Sequence, residues 1–140
     1  MPLPESPAPQ AFRDFEHERW ESAARVYQDE FARLTSQAVP ALLDSAGVGK
    51  GTRLLDVASG PGHLAAAAAE RGATVFGADF SAEMVALARE LHPRLSFRTA
   101  DAEALPFGDG QFDAVTMGFL VGHLGRPLVA VSEGDRKSVV

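Results

Sequence analysis

Between Arg53 and Met117, short apolar runs alternate with stretches in which apolar residues recur every three or four positions. The first run, Arg53 to Val57, sets Leu54, Leu55 and Val57 around one acid, Asp56, and predicts a strand. It enters the small-residue turn Ala58-Ser59-Gly60-Pro61-Gly62 and then the alanine run Ala65 to Ala69, a helix predicted from about Gly62 to Arg71 and ended by Gly72. The design repeats. Ala73 to Asp79 is a second strand, Ser81 a natural N-cap, and Met84, Leu87, Ala88 and Leu91 the buried side of a helix that Pro93 closes. Leu95 to Thr99 alternates as a third strand, Asp101 to Gln111 reads as a loop, and Phe112 to Met117 as a fourth strand. Strands alternating with helices imply parallel units with right-handed crossovers, hence an α/β, doubly wound parallel sheet of about four strands.

Before the first strand, residues 1–10 hold four prolines and little to bury, so a disordered tail is expected there, with a single domain over residues 11–140. From Trp20, the residues Ala23, Ala24, Tyr27, Phe31 and Leu34 continue one apolar helical stripe, which a break near Gln28 to Glu30 would divide. Pro40 interrupts or kinks it. Ala41, Leu42, Leu43 and Ala46 give a short helical face capped by Gly47. At the other end, Pro127 suits a first helical position before Leu128 to Glu133, whereas residues 134–140 are not expected to continue that helix. Strand four is then left as an open edge, so the domain reads as incomplete at its carboxyl end, or as one whose edge a second copy covers in a homodimer.

Composition narrows the partners. The chain has 140 residues, 46% hydrophobic and 23% charged, which suits one ordinary globular core. A formal charge of -6 with no lysine or arginine cluster argues against nucleic acid. The absence of cysteine removes disulfides, thiolate metal sites and a cysteine nucleophile, and no metal is expected. No basic-then-apolar leader opens the chain and no apolar run approaches the ~18 residues of a membrane span, so a cytoplasmic protein is expected.

Ligands of open parallel sheets gather beyond the carboxyl ends of the strands. Asp56 to Gly62, Asp79 and Phe80, Ala100 to Ala102, and Met117 to Phe119 stand there. The glycine loop leads into a helix N-terminus with unpaired N–H groups, a cradle for nucleotide-like cofactors into which a ligand can come close without meeting a Cβ. Asp79 is placed to accept hydrogen bonds from both hydroxyls of a ribose, although an aspartate before a Ser N-cap is also a common turn residue. Gly60-Pro61-Gly62-His63-Leu64-Ala65 satisfies the G-x-G-x-x-A dinucleotide fingerprint, which keeps an NAD(P)-binding oxidoreductase open. Against it stands Asp56: a carboxylate aimed into that crevice opposes a pyrophosphate and favours an ammonium or sulfonium group. A non-catalytic cofactor-binding or interaction module is the third reading.

The segment LLDVASGPGHLAAAAAERGATVFGADFSAEMVALARE, followed by RTADAEALPFGDGQFDAVTM, resembles the class I S-adenosylmethionine-dependent methyltransferases, in particular the branch similar to ubiquinone and menaquinone biosynthesis methyltransferases. That resemblance implies a Rossmann-like domain with its four strands in the order 3-2-1-4 and amino-terminal capping helices, S-adenosylmethionine as cofactor and a small-molecule methyl acceptor. By it, Asp56, Ala58, Gly60 and Gly62 would surround the methionine part, Asp79 would hold the ribose, and Phe80 and Met84 would flank the adenine. Asp101 and the backbone of Ala102 would read the adenine edge, Met117 would border the methionine end, and Tyr27 of the capping helix would be a further contact. The family loop often has cysteine where Ser59 stands. Its members go on to further strands that shape the acceptor pocket. His123, past strand four, could serve as a base on an acceptor hydroxyl but fits a loop or packing role better. His63 belongs to a first helical turn, and His17 and His92 to the surface. No catalytic residue is assigned.

Overall fold

The computed structural model describes residues 8–26, 32–118, 120 and 123–139. Four strands, β1 (Arg53–Val57), β2 (Thr74–Asp79), β3 (Ser96–Thr99) and β4 (Ala114–Thr116), form one sheet in the order β3-β2-β1-β4. Every pairing is parallel, with Asp56 level with Gly77 on one side and Thr116 on the other. Among the described residues six α-helices accompany it: α1 (Pro9–Val26), α2 (Ala32–Thr35), α3 (Val39–Ser45), α4 (His63–Glu70), α5 (Ala82–Leu91) and α6 (Pro127–Lys137). The doubly wound architecture is that expected from the alternation of patterns, and the strand order is the one the family resemblance implies.

β1 is central because its sequence can be buried on both faces. Leu54 and Leu55 are wholly inaccessible, as a strand covered by helices on either side requires. Side-chain alternation sends Leu54, Val75, Phe97 and Ala114 to one face, packed under Val39, Leu43, Ala65, Ala68, Val85 and Ala88. Leu55, Val57 and Ala78 go to the other, beneath Leu105, Phe112 and Leu120. Phe112 packs edge-on against Phe107, ring centres 5.3 Å apart. Ser81 caps α5 as expected, its Oγ accepting the Met84 N–H at 3.1 Å. Gly47 follows α3 with φ +65°, while the Val48 N–H returns to the Leu43 carbonyl at 2.9 Å.

Several expectations need correction. α1 begins at Pro9, inside the stretch expected to be tail, because Pro at a first turn lacks only an N–H that would be unpaired anyway. Tyr27, and the break anticipated near residues 28–30, lie outside the described residues. Leu34 does not share the Trp20 stripe. It sits on α2 with two thirds of its surface exposed, since Val39 and Leu43 of α3 fill the core below. Pro40 helps start α3 rather than breaking a helix. Leu91 is exposed, and Val85 takes its place on the buried face of α5.

The largest correction concerns the carboxyl end. α6 runs through Gly134 to Lys137, and Ser138 then makes a parallel bridge with Phe112. The Phe112 N–H donates to the Lys137 carbonyl and the Val139 N–H to the Phe112 carbonyl, both at 2.9 Å. Gly134 is no helix breaker here; it is where α6 meets the sheet, and a Cβ there would collide with the Met117 methyl. Glu133 and Lys137 are buried beside it. Glu133 accepts the Leu105 N–H at 3.0 Å, and Lys137 Nζ lies 2.7 Å from Asp109 Oδ1. The edge of β4 expected to be open is therefore reduced to Ala114–Thr116, which pairs with no outer strand among the described residues.

Gly77 has an equivalent role inside the sheet, where an added Cβ would overlap the Phe97 ring. Gly77→Ala is expected to destabilise the chain by about 1–3 kcal/mol, the cost of overpacking. Shortening the ring in the double variant Gly77→Ala/Phe97→Leu should recover part of that loss in urea unfolding. Additive losses would show that the crowding lies elsewhere.

Candidate functional site

The chain leaves β1 through a loop with unusual backbone geometry. Gly60 and Gly62 have φ of +52° and +91°, and Ala58, which carries a Cβ, has φ +59°. A left-handed alanine costs about 1–2 kcal/mol and persists where the surroundings dictate it. Here the Ser59 N–H donates to the Ala78 carbonyl of β2 and the Gly62 N–H to the Ser59 carbonyl, both at 3.0 Å.

Asp79, at the end of β2, fastens that loop. The Gly60 N–H donates to its Oδ2 at 2.9 Å and the Ser81 N–H to its Oδ1 at 3.0 Å. The turn role anticipated for Asp79 is thus present: an ionised carboxylate has about four acceptor positions, and the amides of Gly60, Ser81 and Phe80 bear on it without filling all of them. Burial pushes its pKa up, and these amides oppose the shift.

Asp56 lies one strand over on the same face of the sheet, its neighbour in register being Gly77, two residues before Asp79. Its Oδ1 accepts the Thr116 hydroxyl at 2.8 Å. Burial raises its pKa to about 7; the Thr116 hydrogen bond opposes the rise and the charge of Asp79 adds to it.

Two adjoining spaces open along these strand ends. The larger is a cleft of about 380 Å³ whose walls include Ala58, Gly60, Asp79, Phe80, Met84, Asp101 and Ala102. The smaller, about 50 Å³, holds Asp56, Ser59, Pro61 and His63. Thr35, Ala58 and Gly118 border both. The two acids thus do not ring a single crevice as expected. Asp79 faces the cleft, while Asp56 stands behind the shared wall in the small cavity. Ser59 brings a buried hydroxyl there that has no hydrogen-bond partner among the described residues.

Two anticipated contacts are not brought to either space. Gly62 turns toward the core, where a Cβ would come within 2.7 Å of Phe97 Cζ and 2.9 Å of His92 Cδ2. Its missing side chain makes room for the protein's own rings. Met117 packs beneath α6 instead, and Gly118 and Leu120 reach the cleft from that loop. Tyr27 falls outside the described residues, as does Phe119. Asp101 is at the cleft, but its Oδ2 is ion-paired with Arg13 of α1 and its Oδ1 accepts the Glu103 N–H at 2.9 Å.

α1 roofs the cleft and contributes residues that sequence reasoning missed. Arg13 grips both Asp101 and Glu103, and Trp20 lines the wall. Glu16, almost fully buried, accepts the Trp20 Nε1–H at 3.0 Å and lies 2.9 Å from His123 Nδ1. Glu21 accepts the first N–H of α5, which sets a carboxylate at a helix N-terminus. Periodicity put Trp20 on a buried stripe; nothing in it marked the charged neighbours as facing inward.

The chain's similarity to other proteins agrees with this geometry. The family described as a methyltransferase domain matches residues 55–137. The demethylmenaquinone methyltransferase of Beutenbergia cavernae is 42% identical over 93 residues, covering 66% of this chain and 39% of that protein. The YcgJ protein of Bacillus subtilis superposes with a TM-score of 0.68 at 28% identity, over 73% of this chain and 46% of that one. A SAM dependent methyltransferase from Aquifex aeolicus gives 0.72 at 23% identity, over 84% and 66%, a likeness of fold alone. The first curated relatives are thus matched over 39% of their length.

Proposed function

Since the chain belongs to the methyltransferase domain family, we propose that it binds S-adenosylmethionine in the 380 Å³ cleft and passes the methyl group to a small organic acceptor. The observation that carries this reading is Asp79, which anchors the Gly60 amide and keeps acceptor positions free at the cleft wall. Those positions suit the two hydroxyls of a ribose. Phe80 and Met84 offer apolar surface to the adenine. Asp56, behind the left-handed turn at Ala58, supplies negative potential toward a sulfonium centre. The unpartnered Ser59 hydroxyl offers a hydrogen bond to the amino-acid end of the same ligand.

S-adenosylmethionine, when bound, supplies an activated methyl carbon on a positively charged sulfur. The protein's part is to orient, to exclude water and to align donor with acceptor. α1 closes the cleft through Arg13, and Leu120 and Leu124 give it apolar lining. The similarity to demethylmenaquinone methyltransferases makes the hydroxylated aromatic ring of a reduced quinone the acceptor we favour. In this reading nucleic acid is no partner, given the charge of -6, and the short free edge of β4 is the surface through which two copies would associate. No described helix is long and apolar enough to cross a membrane.

Titration calorimetry with S-adenosylmethionine, S-adenosylhomocysteine and NAD tests the proposal. Binding of both sulfur nucleosides without binding of NAD is the expected result. Tight NAD binding with no response to the other two would return the fingerprint Gly60-Pro61-Gly62-His63-Leu64-Ala65 to its dinucleotide reading.

A further inference from the structure

We infer that His123 is the proton acceptor for a hydroxylated aromatic acceptor in this cleft, with Glu16 as its positioning residue; the inference rests on the proposed function. Three observations converge. His123 lines the cleft together with Trp20, Leu120 and Leu124. Its Nδ1 lies 2.9 Å from Glu16 Oε2, and a carboxylate at that distance holds the proton on Nδ1, so that Nε2 carries the lone pair. Glu16 is itself locked: its side chain is 4% exposed, and its Oε2 also accepts the Trp20 Nε1–H. The imidazole is held edge-on to the Trp20 ring, at 85° with centres 5.4 Å apart.

The other charged groups at the cleft are already engaged. Arg13 is paired with Asp101 and Glu103, Arg19 leans on Glu16, Glu103 also takes Arg126, and Asp79 is bound by backbone amides. Nε2 of His123 is the basic atom of this wall with no hydrogen bond among the described residues. An aromatic acceptor resting against Trp20 and the leucines would present its hydroxyl there. The O–H bond breaks, an N–H bond forms at Nε2, and the electron pair stays on oxygen as the nucleophile. The buried Glu16 carboxylate stabilises the resulting imidazolium. Base assistance of this kind contributes typically 10²- to 10⁴-fold.

The test reads the proton directly rather than turnover. The probe is 4-nitrophenol, whose phenolate is yellow and whose phenol is not. It is titrated into the chain saturated with S-adenosylhomocysteine, about one unit below the pH at which the free probe is half ionised. The expected result is a saturable rise in phenolate absorbance. His123→Asn keeps an amide N–H for Glu16 and should bind S-adenosylhomocysteine as the parent does, yet ionise the probe about tenfold less or worse. Glu16→Gln should give an intermediate loss. Equal ionisation by His123→Asn, or no capture of the probe by the loaded chain, overturns the role of His123. Failure to bind S-adenosylhomocysteine in calorimetry strikes the proposed function instead.

Discussion

Replacing Asp56 by asparagine is expected to stabilise the ligand-free chain at pH 8 by a few kcal/mol, with little effect near pH 4. The carboxyl group has an ordinary pKa of 3.8 and is raised to about 7 in the fold, chiefly by burial. The native state therefore holds a proton that the unfolded chain has released. Stability contributed by this group is fully present below about pH 3.8, falls as pH rises and is gone above about 7. A rise of that size corresponds to roughly 4 kcal/mol. Asparagine never ionises, and its carbonyl still accepts the Thr116 hydroxyl seen at 2.8 Å in the parent. Urea unfolding of both proteins at the two pH values checks this. A stability difference that does not change with pH would show that Asp56 is not the group that titrates. The same variant should bind S-adenosylmethionine about tenfold more weakly, from loss of the negative charge that stands behind the Ala58 wall and acts on the sulfonium through space. The uncharged thioether S-adenosylhomocysteine should be much less affected.

Removing the Asp79 carboxylate with Asp79→Ala is expected to cost at least about a hundredfold in affinity for S-adenosylhomocysteine, from two lost charge-assisted hydrogen bonds to the ribose at roughly 1.5–3 kcal/mol each. The loop suffers as well, because the Gly60 and Ser81 N–H groups lose their acceptor. Stability should change less than binding, since relief of a buried charge partly offsets the orphaned amides. Asp79→Asn, of equal volume but with an amide nitrogen facing one of those donors, should fall between. Calorimetry alongside circular dichroism separates the two effects. A folded Asp79→Ala chain that binds with parental affinity would leave Asp79 only its turn role.

The sheet was legible because each of its units is announced locally. The Leu54-Leu55-Asp56-Val57 run, the Ser81 cap and the spacing of Met84, Leu87 and Ala88 need no knowledge of distant residues, and they fix the alternation of strand and helix. What escaped was information held by pairs far apart in the chain. Gly134 looks like a helix breaker until Met117 is seen against it, and Gly62 looks like a ligand contact until Phe97 fills the space. Glu16 gives no sign of burial, since one of its two partners, His123, comes from 107 residues further along the chain. Of the anticipated site residues, eight line the two spaces: Asp56, Ala58, Gly60, Asp79, Phe80, Met84, Asp101 and Ala102. All but Met84, on the first turn of α5, stand at a strand end or within three residues of it. Met117 lines neither space because β4 ends one residue earlier and its side chain turns under α6.

α1 is fastened over the cleft largely by charge, through Arg13 to Asp101 and Glu103, Glu16 to His123, and Glu21 to the start of α5. The sheet beneath is held by aliphatic and aromatic packing. Roof and floor thus obey different solution variables. Added electrolyte shortens the reach of the first set of forces, to about 3 Å at 1 M, while leaving the second nearly untouched. The entrance can loosen in brine while the platform below it stays intact.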